Sequence, residues 1–110
     1  MIYLINQDNL GGYNPVADQV VQEVPFNPND LINLDGGATY WNQNIYFGGV
    51  EDGDIGIPVE TFSLSNGLLS TSPVAMTAKA YKFFSLISIS ANGAQNGILW
   101  GCKRRTLDRL

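Results

Sequence analysis

Residues Ser88–Gly101 read SISANGAQNGILWG. The run that leads into them, SLISIS (85–90), alternates apolar and polar residues at period two, as a strand with one buried face does. Two Asn-Gly pairs follow, at 92–93 and 96–97. Asn and Gly tolerate the positive φ that a tight hairpin turn demands. ILWG (98–101) then resumes as an aliphatic and aromatic strand. The stretch predicts a β-hairpin, and the same grammar recurs along the chain.

TYW and IYF flank Asn42-Gln43-Asn44, a tight hairpin connection, and VETFSLSNGLLSTSPV alternates before turning at Asn66-Gly67. Near the start, MIYLINQ reads as a strand broken by DNLGG, and QVVQEVPF as a second strand ending near Pro25. NPNDLINLDGG (27–37) is loop chemistry, and VEDGDIGIP (50–58) is an acidic loop. AMTAKAYKFF (75–84) holds helix-favouring Ala, Met and Lys, but helix is the lesser reading in a chain built of strands.

Composition agrees. The chain has 110 residues, enough for one domain, with 45% hydrophobic and only 15% charged residues, twelve Gly and five Pro. Many short strands joined by turns are expected, in an antiparallel all-β fold. Three runs also repeat: IYLINQ begins at Ile2, IYFGG at Ile45 and ILWGC at Ile98, spaced by 43 and 53 residues. A period in the forties with several short strands per unit is the signature of propeller blades. The expected organisation is a single β domain over 1–102, with a partial blade at about 1–24, a full one at about 38–72 and a partial one at about 84–102. A small β-sandwich or barrel is the alternative.

The wording of TYWNQNIYFGG, FSLSNGLLSTSPV and SISANGAQNGILWG resembles the blades of quinoprotein-like β-propellers, the pyrroloquinoline-quinone-type repeat proteins of bacteria. The likeness covers most of residues 1–100 and is strongest from Ala38 to Trp100. It implies blades, and a parent family exported in bacteria. It implies no active quinoprotein, because no quinone or calcium ligand of such enzymes is matched residue by residue. About two blades are present where such propellers close with six to eight, so the missing blades are expected from homo-oligomerisation. The resemblance ends at GCKRRTLDRL (101–110), where all three Arg occur, and this end reads as foreign to the blade pattern.

Charge divides the chain sharply. The formal net charge is −4, but residues 1–102 carry −7 and residues 103–110 carry +3. The first 102 residues offer no basic patch for nucleic acid or an anionic membrane. Residues 103–110 are expected to form a basic, solvated or disordered tail, dispensable for folding. No apolar run approaches the ~20 residues of a membrane span, and the N-terminus lacks the pattern of a signal peptide.

Chemistry is scarce. There is no His, so Ser-His and Cys-His nucleophilic pairs are excluded within one chain, along with the commonest zinc ligand. A Ser nucleophile would need Lys as its base, and nothing in the spacing pairs Lys79 or Lys82 with one. The lone Cys102 excludes an intrachain disulfide and reads as an incidental thiol. The Gly-Gly pairs at 11–12, 36–37 and 48–49 lack the spacing of a phosphate loop. Glu51, Asp52 and Asp54, with Glu60 nearby, are the densest acidic cluster. Such carboxylates are the groups a calcium site or a glycoside-cleaving acid–base pair requires, though solubility alone explains an acidic loop. Tyr3, Tyr40, Trp41, Tyr46, Phe47 and Trp100 could line a sugar-binding face, but strand aromatics mostly supply core. The expected function is therefore a structural or binding module without a cofactor, partnered by copies of itself and open to a carbohydrate or other small ligand. The alternative is a small hydrolase or calcium-binding enzyme using the 51–54 loop.

Overall fold

A computed structural model describes residues 1–26, 32–33, 37–48, 50–51, 56–81, 86–103 and 106–110. Among these residues every regular element is a β-strand, and every strand pairing is antiparallel. The protein is all-β.

The central sheet contains β4 (Thr39–Trp41), β5 (Asn44–Phe47), β7 (Glu60–Ser65), β8 (Leu68–Leu69) and β9 (Ala75–Met76). β8 pairs with the end of β7 and β9 with its beginning, so together they act as one interrupted fourth strand. The interruption is patched by Ser70: its Oγ accepts from Ser63 N at 3.2 Å and donates to Ser72 O at 2.8 Å. β1 (Ile2–Leu4) and β2 (Gln22–Val24) form a two-stranded sheet on one side. On the other side β10 (Leu86–Asn92), β11 (Gln95–Lys103) and β12 (Thr106–Arg109) form a three-stranded sheet. β3 (Ile32–Asn33) and β6 (Val50–Glu51) make a two-residue ladder within the two stretches expected to be loops.

The hairpins follow the turn chemistry. Asn42 and Gln43 have φ of 47° and 59°, and Asn66 and Gly67 have φ of 52° and 76°. Each pair forms a two-residue loop with both φ positive, the geometry whose twist matches the flanking strands. The two Asn-Gly pairs of the 88–101 stretch do different jobs. Gly93, at φ 60°, opens the turn between Asn92 and Gln95. Asn96, at φ 55°, stands in the segment where β11 spends one more residue than β10, a β-bulge.

One expectation is corrected. Residues 106–110, expected as part of a solvated or disordered tail, are ordered by pairing: Thr106–Arg109 pair with β11 from Trp100↔Arg109 to Lys103↔Thr106, and Leu110 N donates to Leu99 O at 2.8 Å. A nine-residue β11 leaves an open edge, and an edge strand tolerates charge on its solvated face. The 75–84 stretch starts as strand, not helix, and Tyr81 bridges to Ile57; residues 82–85 lie outside the described residues.

Two unlike junctions hold the layers. One face of the central sheet meets β1–β2 across an apolar core of Ile2, Val24, Phe26, Ile57, Phe62 and Leu69, flanked by Ile45, Phe47 and Leu64. Phe47 stands 5.9 Å from Phe26 and 5.7 Å from Phe62 between ring centroids, the latter edge-on. Gln22 closes the layer with a paired bond to the backbone of Leu69: Nε2 donates to O and Oε1 accepts from N, both at 2.8 Å. The opposite face meets the β10–β11 hairpin through specific polar contacts. Thr39 Oγ1 donates to Ile87 O at 2.6 Å, and Trp41 Nε1 donates to Gly93 O at 2.9 Å. The Trp41 ring lies against Gly97, where a β-carbon would sit 2.5 Å from Cη2.

The three Ile-led runs take corresponding places: β1 precedes β2, β5 lies between β4 and β7, and β11 lies between β10 and β12. Ile2 and Ile45 pack into the same core. Ile98 pairs with Ser90 on the face turned away from the central sheet, because Ile87, on the other face of the same hairpin, is the residue packed against Gly48. Corresponding faces therefore meet at both junctions.

Candidate binding groove and acidic residues

The acidic cluster does not form a described site. Glu51 is in β6, paired through its backbone register with Ile32, and Asp52 and Asp54 lie outside the described residues. Among the described residues no three His, Cys, Asp or Glu side chains are grouped to hold a metal ion.

Glu60 is the exception in chemistry. It begins β7, opposite Phe47 on one side and Met76 on the other, and it points to the apolar face shared with Phe62. It is 6% exposed, and its buried Oε2 has no hydrogen-bond partner among the described residues. Burial pushes its carboxyl above the ordinary value. A carboxyl that holds its proton more tightly than usual is suited to act as an acid, but catalysis would also need a base and room for substrate. The described surroundings of Glu60 supply neither.

The aromatic residues divide. Trp41 spends its N–H on Gly93 and its ring on Gly97, and Phe47 sits among Phe26 and Phe62. Trp100 Nε1 donates to Ser90 Oγ at 2.8 Å. Tyr46 is half-buried, which raises its phenol above the usual value. Trp41, Phe47 and Tyr46 serve the fold, whereas Trp100 and Ser90 bond to each other on the face turned away from the central sheet. Tyr3 and Tyr40 remain 59% and 61% exposed. Lys79 is exposed, Lys82 lies outside the described residues, and the Cys102 backbone pairs within β10–β11–β12.

An open groove of about 600 Å³ runs between the end of β1 and the β7–β8 turn. Leu4, Ile5, Val21 and Leu64 give it an apolar floor, and Asn6 and Gln7 contribute amides. Among the described residues its lining contains no ionisable side chain. The arrangement is formed by the Val21 N to Leu4 O bond at 2.8 Å, which holds the β1–β2 pair together beyond β2 itself. Sequence reading had no signal for this groove, since none of its lining residues is unusual alone and their assembly spans residues 4 to 67.

The outer face of β1–β2 is the other surface feature. Ile2 and Val24 point inward, so Tyr3 and Glu23, paired across the strands, point out. Met1 lies beside this face and is 52% exposed, and Ile5 and Val21, 57% and 49% exposed, stand at the edge it shares with the groove.

Comparison with family models, with curated proteins and with solved structures returns no match to this chain, so its fold and surfaces carry the functional reading.

Proposed function

We propose that this chain is a structural or binding module of propeller-type blade units that works as an assembly of copies of itself. The observation that carries the reading is the exposed outer face of β1–β2 and its edge, where Met1, Tyr3, Ile5 and Val21 are each about half accessible. A sheet face of this kind, with alternate residues apolar, is built to be covered. At ~25 cal/mol per Å², covering a few hundred Å² contributes roughly 5–10 kcal/mol before the cost of association. That is comparable with the whole stability of a small domain. Support also comes from the repeated strand order around Ile2, Ile45 and Ile98 and from the four-strand meander of the central sheet.

The groove adds a binding capacity to this reading. An apolar floor with amide groups at the rim suits an uncharged ligand with apolar and hydroxyl-bearing faces, the class that includes carbohydrates.

Sedimentation equilibrium of the full chain at micromolar concentration tests the assembly. A mass several times the 12.0 kDa of one chain is expected. A well-folded monomer would overturn it and would favour a second reading, a self-contained sandwich. One observation favours that second reading: corresponding faces meet at both junctions, whereas successive blades of a rotational array present opposite faces to each other.

A further inference from the structure

The two outermost sheets differ in charge as well as position. Residues 1–26 hold Asp8, Asp18 and Glu23 and no basic side chain. Residues 86–110 hold four basic side chains and the single acidic Asp108. The charge reaches the outer faces themselves. Glu23 is exposed beside Tyr3 on the outer face of β1–β2. Arg109 is exposed beside Trp100 on the outer face of β10–β11–β12, which also carries Ser88 and Ile98.

From this we infer that copies of the chain associate head to tail, the outer face of β1–β2 of one copy packing on the outer face of β10–β11–β12 of the next. The inference rests on the self-assembly reading above and specifies its contact. Pairing β1–β2 with itself would bring two copies of Glu23 into one contact around an apolar patch, and pairing the C-terminal sheet with itself would bring two copies of Arg109 into one contact. Only the head-to-tail pairing sets the acidic rim against the basic one, and like charges brought into one contact suppress the alternatives. It also sets Tyr3 of one face, and Ile5 at its edge, over Trp100 and Ile98 of the other. A contact between two different patches leaves one of each free on every pair of copies, so association continues until the array closes.

Tyr3→Glu and Ser88→Glu test this, because each blocks one face with a carboxylate at an exposed position. Light scattering of each variant alone is expected to give a monomer. An equimolar mixture is expected to give a species of twice the chain mass, since each variant keeps the face the other lacks, and the two blocked faces repel. Ile5→Glu and Arg109→Glu replace either variant that loses its β-type circular dichroism. Should Tyr3→Glu dissociate while Ser88→Glu assembles as before, the contact is a two-fold one through β1–β2 and the head-to-tail inference is overturned. Two monomeric variants that fail to combine overturn it as well. A monomeric unmodified chain is a different result, which removes the self-assembly reading beneath it. In a separate measurement, Glu23→Arg is expected to weaken assembly, and adding Arg109→Glu in the same chain to restore it; unchanged assembly of the single variant overturns the charge pairing.

Discussion

The central sheet uses its two faces in different ways. Towards β1–β2 it offers large apolar side chains, and the contact is closed by volume: Phe62 is fully buried, with Val24 and Phe26 beside it at 1% and 5% exposure. Towards the C-terminal hairpin it offers Thr39, Trp41 and Gly48, and the contact is closed by fit, through two hydrogen bonds to backbone carbonyls and two glycines that admit Trp41 and Ile87. The first junction owes its strength to area, which is non-directional. The second owes its register to groups that are satisfied in only one position. The difference teaches that the two junctions fail in opposite ways: one by losing atoms, the other by gaining them.

The largest effect is expected from Phe62→Ala. The side chain is 0% exposed and contacts Phe47 edge-on, so the transfer and cavity terms together give a loss of about 4 kcal/mol. Urea unfolding followed by circular dichroism measures it, and a loss under ~1 kcal/mol would mean that the apolar junction is not the main core.

Gly97→Ala tests the opposite failure. The added methyl meets the Trp41 ring at 2.5 Å, so the ring must leave Gly97 or the hairpin must shift, at a cost of about 2 kcal/mol. Combining it with Trp41→Phe should recover part of the loss, because the two changes share one contact. Simple additivity in the double-mutant cycle would place Trp41 elsewhere.

Gln22→Ala probes the polar element of the apolar junction. It leaves both Leu69 N and Leu69 O without the side-chain amide, for an expected loss of about 1.5 kcal/mol. Amide exchange at Leu69 should speed up more than at Phe62, which is held by the ladder itself; equal acceleration at both would show global loosening instead.

The smallest effect concerns pH. Glu60 titrates above its ordinary value of 4.5 because burial penalises the charge. A raised carboxyl pKa means that the folded state holds the proton more tightly than the unfolded one. Its contribution is fully present below the unfolded value and is lost as pH rises through the folded one. Glu60→Gln should therefore gain stability relative to the original chain as the pH rises from 4 to neutral, and differ little from it at pH 4. Thermal midpoints of both proteins across pH 4–8 decide this, and parallel curves would show that the carboxyl is solvated.

Turn chemistry made much of the fold legible. Asn42-Gln43, Asn66-Gly67 and the 92–97 segment are local signals, because a positive φ is a property of one residue and needs no distant partner. Period-two alternation in Ile87–Ser90 likewise marks which side of β10 is buried. β12 was hidden because TLDR is too short and polar to declare itself, and it becomes a strand only where the edge of β11 accepts it. Glu60 read as a neighbour of the acidic cluster at the head of an alternating strand, and proves to lie on the core face of β7, since the register decides which of two alternating faces a side chain takes.

By itself, then, the sequence determined an all-β chain, its hairpins, its charge division and the absence of His-based chemistry. These follow from backbone preferences and composition, which act within a few residues. Only the tertiary structure decided which faces meet, that Trp41 closes on Gly97, that Glu60 is buried and that Tyr3 with Glu23 is left outside. Each of those depends on groups tens of residues apart arriving in one register, and the free energy that selects the register comes from the packed face as a whole.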